Sequence, residues 1–211
     1  MKVGILTNGS VLDYEFYKSR FHLYDLIICA DGGLKHAFNM DLVPQIALGD
    51  FDSTPPKILA YYKEKGCKII VYPAMKDETD TELAVDYALD QKPSAIDILA
   101  GLGTRLDHSL ANVHLLKRVL EQGVLGRIVT ENNIVMLIDG DIKIEGEIGE
   151  GISLLPFSQS VDRIFTTGLG YPINNGRLEM GKPYGVSNYM THTIAHIKLG
   201  SGLLLVIRYK D

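Results

Sequence analysis

Residues 68–100 read KIIVYPAMKDETDTELAVDYALDQKPSAIDILA, and the hydrophobic period changes twice within them. Residues 68–72 and 95–100 are short, nearly continuous apolar runs, the pattern of strands covered on both faces of a parallel sheet. Between them, residues 79–89 place Leu83, Ala84, Tyr87 and Ala88 on one side of a helix. Strand, helix and strand in so short a span predict an α/β fold.

The alternation continues on either side. Residues 3–6, 26–30, 45–48 and 127–130 are further apolar runs, and residues 106–121 carry Leu106, Leu110, Val113, Leu116 and Leu120 along one stripe. The prediction for residues 1–130 is a doubly wound, mostly parallel sheet with helices on both faces. Such sheets bind ligands beyond the carboxyl ends of their strands. After about Asn132 the period becomes two. Short runs at 134–138, 142–147, 152–156, 163–167, 192–198 and 203–208 are separated by Gly, Asn, Asp and Ser turns. Residues 131–211 therefore read as a C-terminal antiparallel β-sandwich.

The composition narrows the function classes. Of 211 residues, 46% are hydrophobic and 22% charged, the balance of a soluble globular protein. A net charge of −5 argues against a nucleic-acid partner, which selects a basic face, but leaves nucleotide binding open. Two cysteines make no disulfide framework; Cys29 inside LIICA and Cys67 before KIIVY read as reduced core residues. The opening MKVGILTNGS has too short an apolar run for a signal peptide, and no stretch approaches the roughly 20 apolar residues of a membrane span. A cytoplasmic protein with no membrane partner is expected.

Acids recur after successive predicted strands. Asp31 stands in ADGG, Asp50 and Asp52 in GDFDS, Asp77 and Asp80 in KDETD, and Asp107 in GLGTRLDH. In an extended segment Asp50 and Asp52 project to one side, and two adjacent carboxylates call for a cation. Oxygen donors without nearby His or Cys favour Mg²⁺ over zinc. GDFDS alone also reads as a turn. Asp77 and Asp80, at i and i+3 of a helix start, share a face, although Asp77 or Thr79 also suits an N-cap. In GLGTRLDH, Gly101 and Gly103 allow backbone N–H groups near a phosphate, and Arg105 can fork onto its oxygens. A structural tight turn is the competing reading there, since neither the Walker nor the dinucleotide spacing is present. Gly32 and Gly33 permit close approach after the second strand, and His108 and Asn112 share a face of the helix after the glycine loop. Each motif alone is weak; their recurrence at successive strand ends is harder to explain as turns.

The ordered set ADGG, GDFDS, KDETDTELA and GLGTRLDHSLAN resembles the thiamine pyrophosphokinase family over nearly the whole chain. The resemblance implies transfer of the pyrophosphoryl group of ATP to the hydroxyethyl group of thiamine, giving thiamine diphosphate and AMP. It also implies a homodimer with active sites at the subunit interface. By position, Asp50, Asp52 and Asp77 correspond to the family's metal and catalytic acids with Asp31 beside them. Asp80 matches the second acid of D-x-T-D, whose Thr79 is included, and Arg105 and Asp107 match its R-x-D. Ser187 and Asn188 in GVSN resemble the stretch that holds the thiamine ring. The segment TTGLGY resembles one that presents a stacking tryptophan; this sequence has none, and Tyr171 is the nearest aromatic substitute. Phosphoryl transfer is mostly positioning and charge neutralisation, so Mg²⁺ is the expected cofactor and ATP the co-substrate; Asp77 or Asp80 is the expected acceptor of the alcohol's proton. Three rivals stay open at this stage: another acceptor such as a hydroxymethyl pterin, a metal-dependent phosphohydrolase, and a non-catalytic nucleotide or thiamine sensor.

Overall fold

In the computed structural model, which describes residues Met1–Lys210, every apolar run of the N-terminal part forms a strand. These are β1 (Lys2–Leu6), β2 (Leu26–Ala30), β3 (Ile46–Gly49), β4 (Lys68–Val71), β5 (Ala95–Leu99) and β6 (Leu125–Val129). They belong to a first unit, Met1–Glu131; a second begins at Asn132. All five pairings among the six strands are parallel, in the order β6-β5-β1-β2-β3-β4. The helices are α1 (Tyr14–Lys18), α2 (Gly33–Asn39), α3 (Pro56–Glu64), α4 (Asp80–Asp90) and α5 (Leu106–Glu121).

The order fixes where the helices lie. From β1 to β4 the chain steps one way across the sheet; from β4 to β5 to β6 it steps the other way. Right-handed crossovers then place α1, α2 and α3 on one face and α4 and α5 on the other. The contacts agree, since α2 packs on α3 and α4 on α5. The direction reverses between β1 and β5, which makes the crevice beyond their carboxyl ends the natural ligand site.

Burial follows position in the sheet. Ile5 and Leu6 of β1 and Ile96, Ile98 and Leu99 of β5 have no exposure, each contributing about 2 kcal/mol of apolar transfer. The edge strand β4 is only partly covered, and its Val71 is exposed. Among the buried polar side chains of this unit, Asp97 of β5 carries a charge; it accepts from Arg127 of β6 at 2.6 and 2.8 Å and from the Tyr24 hydroxyl at 2.9 Å. Burial and the Asp97 charge together drive the Tyr24 phenol well above its ordinary value. Cys29 and Cys67 are free and buried, and burial pushes the Cys67 thiol up to about 11, so neither is nucleophilic near neutrality.

The second unit is all β, with β7 (Asn133–Ile138), β8 (Ile142–Glu145), β9 (Gly151–Pro156), β10 (Ser160–Thr167), β11 (Gly176–Glu179), β12 (Asn188–Tyr189), β13 (Ile194–Lys198) and β14 (Leu204–Tyr209). Two antiparallel sets form, β12-β9-β14-β7 and β11-β10-β13-β8. Their inner faces share one core that includes Ile152, Leu154, Val161, Ile164, Ile197, Leu204 and Val206. This is a sandwich. The run expected at 163–167 belongs to a longer strand whose register shifts at Arg163, a residue at φ 55°. A bidentate pair between Arg208 and the buried Glu150 completes the fold of this unit. No helix among the described residues is long and apolar enough to cross a membrane.

Candidate active site

A cleft of about 510 Å³ opens where the sheet order reverses, lined by the ends of β1, β2 and β5 and by the start of α4. Thr7 to Ser10 follow β1, Ala30 and Asp31 follow β2, Thr79 to Thr81 open α4, and Gly101 to Asn112 span the glycine loop and the first turns of α5. The loops after β1 and β5 interlock. Thr7 Oγ1 donates to the Ala100 carbonyl at 2.6 Å, and the Gly9 and Ser10 amides donate to the carbonyls of Ala100 and Leu102. A Cβ on Gly9 would lie 2.1 Å from the Ala100 carbonyl oxygen, so this contact requires glycine. Ala100 itself sits at φ 52°, a costly conformation for a residue with a Cβ.

Among the acids, the fold gathers Asp31, Asp50 and Asp80. One carboxylate oxygen from each lies within 4.8 Å of the others. Asp31, at φ 39°, turns its Oδ2 to the Ser53 hydroxyl at 2.6 Å, while its buried Oδ1 has no hydrogen-bond partner. Lys76 reaches in from the loop before α4. Its ammonium lies 3.1 Å from Asp80 Oδ1 and 3.6 Å from Asp50 Oδ2. The Asp80 contact is an ion pair without hydrogen-bond alignment, so Oδ1 there is also unsatisfied. Burial raises the Asp80 carboxyl, Lys76 opposes this, and the charges of Asp50 and Asp31 leave it above the usual range. Burial pulls Lys76 the other way, but Asp80 and Asp50 outweigh it and hold the ammonium protonated.

Asp52 and Asp77 stand outside this group, both exposed. GDFDS is not extended. Phe51 takes φ 59° and buries its ring, and the Asp52 amide donates back to Asp50 Oδ1 at 3.1 Å. The chain therefore turns between the two acids, and the same-side geometry expected for i and i+2 does not form. Likewise α4 begins at Asp80, with Thr79 as its N-cap accepting from the Glu82 amide at 3.1 Å. Asp77 precedes the helix, so it shares no helical face with Asp80.

The glycine loop is held by the buried Asn112, whose amide donates to the Gly101 carbonyl at 2.7 Å. Gly101, Gly103, Arg105 and His108 line the cleft. Arg105, exposed at the N-terminus of α5, forks onto Asp107 at 2.6 and 3.2 Å, which holds the Asp107 carboxyl down at about 2. Gly32 and Gly33 are not at the cleft surface. They start α2, where a Cβ on Gly33 would meet the Leu6 carbonyl oxygen at 2.1 Å, so their role is packing.

In the second unit, Tyr171 is exposed and meets Tyr189 edge to face at 5.8 Å between ring centroids. Asn188 is buried beneath them. Its Oδ1 accepts from the Tyr171 and Tyr189 amides and its Nδ2 donates to the Tyr171 carbonyl, so the amide clamps the tyrosine loop. Ser187, at φ 59°, lies with Asn188 and Tyr189 on a second cleft of about 510 Å³ that also includes Glu150 and Tyr209.

Sequence reasoning missed Asn8, Gly9 and Ser10, although the Asn-Gly pair directly after the first apolar run is a legible turn signal. It also missed Lys76, whose neighbours Asp77 and Asp80 drew the attention.

A family model described as thiamin pyrophosphokinase, catalytic domain, matches residues 17–125, and one described as thiamin pyrophosphokinase, vitamin B1 binding domain, matches residues 141–204. The chain is 32% identical to a thiamine pyrophosphokinase of Bacillus subtilis over 190 residues, 89% of each chain. It is 25% identical to thiamine pyrophosphokinase 1 of Oryza sativa, covering 88% of this chain and 80% of that protein. Among solved structures, thiamine pyrophosphokinase from Bacillus subtilis superposes with a TM-score of 0.90 at 28% identity over all of both chains. The protein from Geobacillus thermodenitrificans gives 0.86 at 27%, covering 100% of this chain and 98% of that one.

Proposed function

This chain belongs to the thiamin pyrophosphokinase family, and from that premise we propose how its own residues transfer the pyrophosphoryl group of ATP to thiamine, giving thiamine diphosphate and AMP. The observation that carries the reading is the convergence of Asp31, Asp50 and Asp80 beside a glycine loop and a helix N-terminus at the switch point of the sheet.

The residues fit a hard divalent cation. The donors are all oxygens, and Asp31 Oδ1 is buried with no partner, an arrangement that a cation satisfies. Asp31, Asp50 and Asp80 are the residues that would hold Mg²⁺. Bound there, Mg²⁺ would supply positive charge against the polyphosphate and against the charge that develops in the reaction.

The chain's residues do the rest. The amides of the Gly101 to Gly103 loop and the start of α5 bind phosphate oxygens, and Arg105 exchanges Asp107 for phosphate. Asn112 keeps that loop in place through the Gly101 carbonyl. The thiamine hydroxyl oxygen attacks the β-phosphorus, the bond from that phosphorus to the α,β-bridging oxygen breaks, and AMP leaves with the bridging oxygen. With Asp80 committed to the acid group, Asp77 is the carboxylate assigned to take the alcohol's proton. Tyr171 and Ser187 are assigned to the thiamine ring, and Asn188 acts by holding Tyr171. We assign the protein to the cytoplasm and to a homodimer with active sites at the subunit interface. The dimer is assigned on the resemblance to the thiamin pyrophosphokinase family.

The test is AMP formation from ATP with thiamine present or absent, with and without Mg²⁺. Thiamine-dependent, Mg²⁺-dependent AMP is expected. Phosphate release with no acceptor, or ligand binding with no AMP, overturns the transfer reading.

A further inference from the structure

We propose that Lys76 is an exchangeable internal counter-ion, whose ammonium neutralises Asp50 and Asp80 in the cation-free protein and is displaced when a divalent cation enters. The proposal rests on the assignment of Asp31, Asp50 and Asp80 as the cation's ligands.

A surface lysine normally keeps its ammonium in water and gains little from a nearby acid. Lys76 does the opposite. Its side chain is only 12% exposed, and its Nζ contacts Asp80 Oδ1, Asp50 Oδ2 and, at 3.2 Å, the Pro73 carbonyl. Three carboxylates crowded together are unfavourable without positive charge, and this ammonium supplies it. It supplies it incompletely: Asp31 Oδ1 keeps no partner, and Asp80 Oδ1 has an ion pair without an aligned hydrogen bond. The lysine is therefore well placed to stand in for a cation and poorly placed to satisfy the site as a permanent member.

Displacement follows from geometry. A hard divalent ion needs carboxylate oxygens at about 2.1 Å. It and the ammonium would draw on the same Asp80 Oδ1, and the two positive charges repel. Beyond the acids, Nζ is held among the described residues by the Pro73 carbonyl, and the flexible four-carbon stem lets it leave without moving the backbone. Once released, the ammonium is free to pair with an anionic ligand beside Asp80, which lines the cleft. The cation and the polyphosphate therefore favour each other's binding.

The experiment titrates Mn²⁺ into nucleotide-free protein, followed by electron paramagnetic resonance and by Tm. Lys76→Met is compared with wild type, and Lys76→Gln serves as a second variant should the first misfold. The expected result is Mn²⁺ affinity at least about tenfold tighter in the variants. Their Tm should be lower without metal, and it should rise further when metal is added. Equal or weaker Mn²⁺ affinity in folded variants overturns the proposal, as does the absence of Mn²⁺ binding in all three proteins. Thiamine-dependent AMP formation by wild type, measured in parallel, judges the transfer reaction separately. A protein that makes AMP yet shows no tightening keeps the reaction and loses the counter-ion.

Discussion

Replacing Asp31 by asparagine separates a cation ligand from a structural residue, because the two roles predict opposite changes in stability. Asn has nearly the same shape, tolerates the left-handed φ of 39°, and keeps an acceptor for the Ser53 hydroxyl. What changes is one negative charge with two others within 4.8 Å. At an effective dielectric of about 20, each such pair costs about 3 kcal/mol. Partial exposure and relaxation reduce the net gain on removal to about 1–2 kcal/mol. In EDTA, Asp31→Asn should therefore have a Tm about 2–8 °C above wild type, using about 2–4 °C per kcal/mol for a chain of this size. With Mg²⁺ and ATP the order reverses: the variant should lose the rise in Tm that the metal gives wild type, and kcat should fall about a thousandfold, roughly 4 kcal/mol of barrier. Differential scanning fluorimetry with EDTA or Mg²⁺, alongside an AMP assay, reads both. A variant several degrees less stable in EDTA, or one with near-normal turnover, refutes the reasoning.

Asn188→Ala removes three partly buried hydrogen bonds to the Tyr171 and Tyr189 backbone, at about 1 kcal/mol each, so Tm should drop by about 6–12 °C. Its KM for thiamine should rise while KM for ATP holds; equal changes in both would reject the clamp. Tyr171→Ala should raise the thiamine KM in the same selective way with little loss of Tm, as the ring is 66% exposed. Arg208→Leu strands Glu150, whose side chain is 4% exposed, at a cost of about 3 kcal/mol at pH 7. Burial raises the Glu150 carboxyl, but the Arg208 fork outweighs it and holds the folded-state value low. The pair's contribution is thus present above the ordinary glutamate range, about 4.3, and fades as pH falls through the lower folded value. Urea midpoints of wild type and variant should accordingly converge as pH falls below the ordinary glutamate range; a gap independent of pH would mean that packing, not charge, holds this corner.

The strands were legible because parallel strands buried on both faces leave an unbroken apolar signature, as in LIICA and IALG. The elements not read were those too short to show a period. Helix α1 has five residues, β12 has two, and α3 announces itself mainly by the proline pair at its start. GDFDS reads as extended, but Phe51 is buried and left-handed, and that one dihedral sends Asp52 away from Asp50. Lys76 was invisible for a different reason. A lysine beside acids is nearly always solvated, and only the fold shows that this one is drawn inward.

The harder limit concerns topology. Sequence order sets the acids of KDETD beside GLGTR, because β4, α4 and β5 follow one another along the chain. The sheet puts β5 next to β1 instead, and β4 at the far edge. Asp80 still reaches the cleft because the chain crosses the sheet as it enters α4, and α4 packs over β1, β2 and β3. The loop after β1 becomes part of the site for the same reason, although TNGS carries no charged side chain. Its contribution is mostly backbone: glycine-permitted contact with the Ala100 carbonyl, and Thr7, Gly9 and Ser10 amides bonded to the carbonyls of Leu99, Ala100 and Leu102. Side-chain chemistry can be read from residue types, but a wall built of main chain becomes visible only once the strand order is known. In a doubly wound sheet that order, through its point of reversal, decides which loops meet.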